Sequence, residues 1–204
     1  ALFMCQPIER EGLLYSEDEL RRYFELPDTD PDAVLAICDT KDRGSDYAFL
    51  PVGYQYGQDF YIDDCVCDNG LPNVVDARLT EILVRDKVQM ARFESNSAGG
   101  RVAEKVQGEV KQRGGITKIT TRFTRENKET KIIVNSAWVK EHCLFKDKSE
   151  YRKNSDYGRM MDMLCSYTVM GKNKHDDVPD GMAMFALFAQ SLTAGRVEVF
   201  KRPI

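Results

Sequence analysis

Three acidic stations, far apart in the chain, carry residue types suited to metal chemistry. Asp39 ends the apolar run Ala33-Val34-Leu35-Ala36-Ile37-Cys38, Glu94 follows Met90-Ala91-Arg92-Phe93, and His175-Asp176-Asp177-Val178-Pro179-Asp180 opens an apolar, helix-like segment. Two carboxylates leaving buried strands and a third entering on a helix can form a pocket for hard divalent cations, and such a pocket suits hydrolysis of a phosphodiester. The stations weigh unequally. Asp39 sits where a buried strand emerges, a frequent place for chemistry in open α/β sheets, although an aspartate that merely starts a turn and caps Gly44 would look the same. Asp46 closes that turn, where cap and ligand roles compete. Glu94 alone would be an ordinary solvated strand end. The small residues and glycines of 95–100 behind it add weight, because they let a nucleic-acid backbone approach and the next helix turn its N-terminus to a phosphate. Acids at the third station also complement a helix macrodipole, with Pro179 in the first turn. Asp177 and Asp180 are nevertheless three apart on one helical face. Asp176 and His175 rank below them.

The elements that must position these residues follow from periodicity. Ser16, with Glu19 three later, reads as the capping box of a short helix over 16–24, and Pro27-Asp28-Thr29-Asp30-Pro31 breaks the chain after it. Residues 33–38 read as a strand buried on both faces. Residues 47–54 and 59–67, joined by a turn at Gly57, complete an antiparallel meander, with Pro51 pointing to a bulge or an edge. A helix is expected over 73–88, a strand over 89–94, and a helix through Val102, Val106 and Val110 closed by Gly114-Gly115. A strand over 117–124 comes next, then helices over 132–141, 156–169 and 179–192, the last with a stripe at Met182, Phe185, Ala186 and Ala189. The stretch 146–154 reads as basic and soft. This order implies an α/β sheet of mixed direction with helices on its faces.

With 204 residues, 42% of them apolar, the chain can bury a proper core. A net charge of −4 neither announces a nucleic-acid binder nor excludes one, since a carboxylate-rich metal site adds negative charge locally. Six cysteines without a CxxC pair, and only His142 and His175 to supply imidazole, argue against structural zinc. Cys65 and Cys67 stand too close for ordinary disulfide geometry, and reduced thiols used as small hydrophobes are the expected reading. No signal peptide is visible and no apolar run approaches the ~20 residues of a membrane span, so a soluble intracellular protein is expected. The start at Ala1, in mid-pattern, reads as a piece of a longer chain. There is no GxxxxGK[ST] phosphate loop and no GxSxG elbow. His142 reads as structural or exposed, and Trp138 as core. The mid-chain cations Lys111, Arg113, Lys118, Arg122, Arg125, Lys128 and Lys131 read first as a solvated face and, more sharply, as a rim that contacts DNA.

Taken together, the motifs resemble the C-terminal nuclease domain of tailed-phage terminase large subunits. Asp39-Thr40-Lys41-Asp42-Arg43-Gly44-Ser45-Asp46-Tyr47 is similar to the family's first acidic motif, and Glu94-Ser95-Asn96-Ser97-Ala98-Gly99-Gly100 to its second. Lys128-Glu129-Thr130-Lys131-Ile132 resembles a Lys-Glu-x-Arg-Ile segment with Lys131 in place of Arg. The cluster at 175–180 resembles the terminal motif, with Asp180-Gly181-Met182 where Asp-Ala-Leu is usual, and the stretch from Met4-Cys5-Gln6-Pro7 to Gly12-Leu13-Leu14-Tyr15 looks like the exit from an ATPase domain.

The resemblance implies a ribonuclease H-like fold with a mixed five-stranded sheet, three antiparallel strands followed by parallel additions. Residues 1–29 would be an approach segment from a missing ATPase domain, 30–192 the nuclease domain and 193–204 a C-terminal tail. It implies two Mg²⁺ or Mn²⁺ ions and cutting of concatemeric viral DNA during packaging in the host cytoplasm. The catalytic acids would be Asp39, Glu94 and Asp180, with Asp177 as a further ligand and Asp46, Asp176 and Asn96 as auxiliaries. Arg101, Lys128 and Lys131 would touch the double-stranded DNA, and the portal and small terminase subunit would be partners. A resolvase or ribonuclease H acting on branched DNA or hybrids is the alternative enzyme. A non-catalytic module docking on a portal is the alternative of another class.

Overall fold

The computed structural model describes residues 12–40, 46–96 and 99–193. In chain order the elements are β1 (Arg21–Tyr23), β2 (Ala33–Cys38), β3 (Ala48–Tyr56), β4 (Asp59–Asp68), α1 (Pro72–Arg85), β5 (Met90–Glu94), α2 (Gly99–Gln112), β6 (Lys118–Arg122), α3 (Lys128–His142), β7 (Cys143–Lys146), α4 (Asp156–Cys165) and α5 (Asp177–Thr193), with a 3-10 turn at Lys148–Glu150. The Met4-to-Pro7 stretch, the turn at 41–45, the loop residues 97 and 98 and the tail at 194–204 lie outside the described residues.

The strands form one seven-stranded sheet in the order β1-β7-β4-β3-β2-β5-β6. β2, β3 and β4 are the expected antiparallel meander, and β5 and β6 add in parallel beside β2. Two strands were not expected. β7 pairs in parallel with β4, and β1 in parallel with β7, so the expected five strands become seven. The helix expected over 16–24 is replaced by a turn, in which Glu19 N–H donates to Ser16 C=O, followed by β1. Tertiary partners outweigh the local capping signal there. Arg21 reaches the Asp59 carboxylate and the Glu141 carbonyl, both at 2.6 Å, and Tyr23 Oη donates to Asp63 at 2.8 Å. Leu14, Tyr15, Leu20 and Tyr23 are buried, so this segment adds side chains to the core. Pro51 lies in an interior strand rather than at an edge, and the register against β4 shifts beside it, between Val52 and Gly53.

Side chains alternate across the sheet and separate two apolar layers. Val34, Ala36 and Cys38 of β2, with Ala91 and Phe93 of β5, pack under α1 and α2. Leu35 and Ile37 face the opposite layer, under α3, α4 and α5. The apolar stripe expected on the last helix extends almost all round it. Val178, Met182, Ala183, Phe185, Ala186, Phe188 and Ala189 are all buried because α5 lies between the sheet and its neighbouring helices. Cys38, Cys65, Cys67 and Cys143 are buried thiols within these layers. Among the described residues no helix is long and apolar enough to cross a membrane.

Candidate functional site

The same alternation brings the acidic stations together. Asp39 follows Leu35 and Ile37 on odd positions of β2, so its side chain turns to the α5 layer. In β5 the even positions face that layer: Met90 packs against it and the Arg92 guanidinium lies 4.2 Å from the centre of the Phe188 ring in α5. Glu94 is the next even position. The parallel register pairs Cys38 with Phe93, so Asp39 and Glu94 leave adjacent strands one step later at the same end of the sheet. α5 begins over that end, and its first turn carries Asp177 and Asp180.

A cleft of about 290 Å³ is lined by Asp39, Thr40, Asp46, Tyr47, Glu94, Asn96, Thr124, Glu126, Lys128, Lys131, Asp177 and Asp180. Asp39 is 8% exposed and Asp180 4%. The backbone of Asp39 is pinned by two hydrogen bonds with Phe49, at 2.9 and 3.0 Å. Asp177 accepts the Tyr47 N–H at 3.2 Å, which ties the start of α5 to the entry of β3. Asn96 Nδ2 donates to Glu94 Oε1 at 3.0 Å and to the Thr124 carbonyl at 3.2 Å, and its Oδ1 accepts from Thr124 N–H at 3.3 Å. One side chain thus orients Glu94 and joins the ends of β5 and β6.

Two glycines permit the close approaches. A Cβ at Gly99 would overlap the Glu94 carbonyl and stand 2.9 Å from Thr40 Oγ1. A Cβ at Gly181 would run into the Phe49 ring, which gives a packing reason for glycine beside Asp180.

The carboxylates oppose one another. Burial, then the facing charges of Asp180 and Glu94, push the Asp39 carboxyl well above the usual carboxylate range, against the pull of Lys128. Burial also raises Asp180, countered by Lys131 and Lys128, and raises Asp177, countered by the Tyr47 N–H and Lys128. Both lysines stand on the first turn of α3, whose N-cap is Asn127 accepting from Thr130 N–H. Lys128 Nζ lies 2.8 Å from Asp176 and 3.8 Å from both Asp177 and Asp180. Burial works to lower the Lys128 pKa, but Asp176, Asp180 and Asp39 outweigh it and raise it. Lys131 is 5% exposed, with Nζ 2.7 Å from Asp180 Oδ1. That oxygen has an ion-pair partner but accepts no hydrogen bond in proper geometry.

Most of the expected site residues therefore share one cleft. Asp176 meets it only through Lys128, and Arg101 stands exposed on the first turn of α2 outside its lining. Glu126, Thr124, Thr40 and Tyr47 line the cleft without having been singled out. Glu126 had one available signal: it follows the third parallel strand, as Asp39 and Glu94 follow the first two. A larger cleft of about 530 Å³ lies beside β4, α1 and α4, away from all three stations.

The donor set suits a hard divalent cation: every candidate ligand is a carboxylate, six carboxylates line the cleft against two ammonium groups, and Asp180 offers a buried oxygen with no hydrogen bond. Among the described residues, no three of these side chains already stand close enough to form a coordination shell.

No protein-family profile matches the sequence, and no curated protein does. Solved structures do match the fold. The human cytomegalovirus terminase nuclease domain, manganese-soaked and inhibitor-bound, aligns over 92% of this chain and 100% of its own, with a TM-score of 0.62 and 10% identity. The large terminase of a thermophilic bacteriophage aligns over 86% of this chain and 43% of its own, with a TM-score of 0.56 and 14% identity. The fowlpox virus Holliday junction resolvase aligns over 78% of this chain and 99% of its own, with a TM-score of 0.50 and 14% identity. The fold is thus the ribonuclease H-like one of terminase nuclease domains, as the motif resemblance implied.

Proposed function

We propose that this chain is a divalent-metal-dependent endonuclease on double-stranded DNA, the cutting domain of a viral packaging terminase. The observation that carries the reading is the convergence of Asp39, Glu94, Asp177 and Asp180 on one side of the sheet, at the ends of two adjacent parallel strands and the start of the helix above them. Carboxylates held in mutual repulsion are costly unless cations join them, and a site kept at that cost is a functional candidate. Bound Mg²⁺ or Mn²⁺, two ions in the full site, would activate water and stabilise the leaving oxygen of the phosphodiester. Asp39, rigid on its strand, would hold the cations together with Glu94 and Asp180, with Asp177 in support. Asn96 would hold Glu94 in its ligating rotamer. Arg101, Lys128 and the mid-chain cations would steer the phosphate backbone towards the cleft.

The likeness to the thermophilic-phage protein, in which this chain aligns with less than half of a large terminase, supports a further linked domain, which would be the ATPase. A portal and a small subunit would be its partners and the host cytoplasm its place of action. The segment 1–29 would then lead from the motor while lending β1 to the sheet of the 30–192 nuclease domain, and 193–204 would be a tail. The test is plasmid nicking in Mn²⁺. Asp39→Asn and Asp180→Asn should each abolish cutting, by about a thousandfold or more, while retaining the folded circular dichroism spectrum. Wild-type rates in both variants would sink the proposal. The resolvase likeness supports a second reading, and faster cutting of a four-way junction than of plain duplex would favour it.

A further inference from the structure

The two lysines of the cleft differ in a way that their shared helix turn conceals. Lys128 divides its charge among Asp176, Asp177 and Asp180, and its side chain is 39% exposed, so water and several carboxylates share it. Lys131 is 3% exposed along its side chain and, among the described residues, has one ion-pair partner, Asp180 Oδ1 at 2.7 Å. The same oxygen is buried and receives no hydrogen bond. Asp180 is therefore balanced at contact distance by one ammonium group on a flexible stem, with Lys128 a more distant second at 3.8 Å.

We propose that Lys131 is a resident counter-ion that a divalent cation must displace from Asp180, so that the cleft is an exchange site rather than a preformed metal shell. The proposal rests on the metal-dependent reading of the cleft. It accounts for a buried lysine set among buried carboxylates, and for carboxylates that line one cleft while, among the described residues, no three close to a coordination shell. A lone buried carboxylate is strongly destabilising, and Lys131 removes that cost until a cation takes over. The helix beneath Lys131 stays fixed during the exchange. Ile132 is in the core, and Asn135 Nδ2 donates to the Lys131 carbonyl at 2.8 Å, so only the side chain has to move. A destination exists as well. Lys131 and Glu126 line both the acidic cleft and a small hollow beside it, so the released ammonium can turn to Glu126.

The experiment is Mn²⁺ titration of the full chain without DNA, read by the electron paramagnetic resonance signal of free Mn²⁺ and by melting temperature. Lys131→Met should melt lower without metal and bind Mn²⁺ with a midpoint lower by at least about fivefold, the scale of coupling between contacting charged groups. Lys131→Arg, a competitor that holds a carboxylate more firmly, should raise the midpoint. Lys128→Met should shift it by less than about twofold, because its charge is already shared and solvated. An unchanged or higher midpoint in Lys131→Met overturns the exchange, and so does an equal tightening in Lys128→Met, which would reveal only a general charge effect. If Lys131→Met folds only with Mn²⁺ present, the metal has replaced the counter-ion and the proposal stands. If it stays unfolded at saturating Mn²⁺, the proposal falls. A wild type that binds no Mn²⁺ would overturn the metal reading itself, an outcome distinct from a wild type that binds and a variant that binds no better.

Discussion

Two acid-rich regions of this molecule contain the same residue types and resolve them in opposite ways. In the larger cleft beside β4, each aspartate has at least one cation in contact. Asp63 is 3.3 Å from Lys146 and accepts the Tyr23 hydroxyl, Asp64 pairs with Arg85, and Asp156 is bridged by Arg78 and Arg159 while accepting the Cys67 N–H at 2.9 Å. Arg78, in the wall of that cleft, also reaches Asp68 just outside it. Burial would raise the Asp68 carboxyl, but the Gly70 N–H and Arg78 outweigh it and hold it below its ordinary range. In the smaller cleft the carboxylates face each other, and Asp39, Asp177 and Asp180 are raised. Size therefore misleads and charge balance discriminates: the roomy cleft is electrostatically satisfied, whereas the narrow one is left wanting cations.

The largest effect that probes this contrast comes from breaking the satisfied region. Arg78→Ala removes the guanidinium that Asp68 and Asp156 share at the junction of β4, α1 and α4, leaving Asp156 to Arg159 and Asp68 to the Gly70 N–H. Because the Arg78 side chain is 37% exposed, water softens the loss, and we expect about 2 kcal/mol, or about 4–8 °C in melting temperature. The Mn²⁺ midpoint should stay within about twofold of wild type. A large shift in that midpoint would mean that the two regions are coupled, and the contrast would fail.

Next in size is Asn96→Ala, which touches the unsatisfied region without removing a carboxylate. Glu94 loses its orienting donor and the loop after β6 loses its tie at Thr124. Removing such an outer partner of a metal ligand commonly costs about tenfold in activity or affinity, equivalent to about 1.4 kcal/mol of barrier. The nicking rate in Mn²⁺ should fall by that factor while the melting temperature moves by only about 1–2 °C. Asn96→Asp, similar in size but repelling Glu94, should lose more. Equal activity in all three proteins would remove Asn96 from the site.

Much of this arrangement was legible before any coordinates, and the illegible parts have physical causes. Six apolar residues followed by Asp39 mark a strand end, and the short strand before Glu94 marks another, but that the two acids share one face follows only from the parallel register of β2 and β5. β7 was hidden because its four residues follow α3 directly, with no turn residue to break the pattern. β1 was hidden inside a sequence that caps helices well, since Asp59 and the Glu141 carbonyl, distant in the chain, decide its conformation. Lys131 reads as a solvated helix cation from its neighbours, and only Asp180, contributed by another helix, explains its burial. Glu126 sits in the polar loop Thr124-Arg125-Glu126-Asn127, where nothing in composition separates a cleft residue from a surface one. Local pattern reports faces and ends; partners supplied from elsewhere in the chain report themselves only in three dimensions.

The smallest effect sharpens the comparison most, because it turns on pH. In the folded protein the Asp39 carboxyl titrates well above an unfolded aspartate, which titrates near about 3.9. Between those two values the folded chain keeps a proton that the unfolded chain has lost, so stability declines as pH rises across the interval. Above it, the folded state bears the full cost of a buried anion facing Asp180 and Glu94. Asp68 runs the other way: its folded pKa is depressed, so its contribution is present above the unfolded value and is lost as pH falls through the folded one. Asp39→Asn should therefore melt higher than wild type without metal at about pH 8. The gap should close as pH falls through the unfolded value towards about 3, where Asp39 of the wild type is protonated in both states. Saturating Mn²⁺ at about pH 8 should reverse the order, stabilising the wild type and leaving the variant unmoved. A gap that persists unchanged into acid would trace to packing rather than charge, and the distinction between a satisfied and an unsatisfied cleft would lose its electrostatic basis.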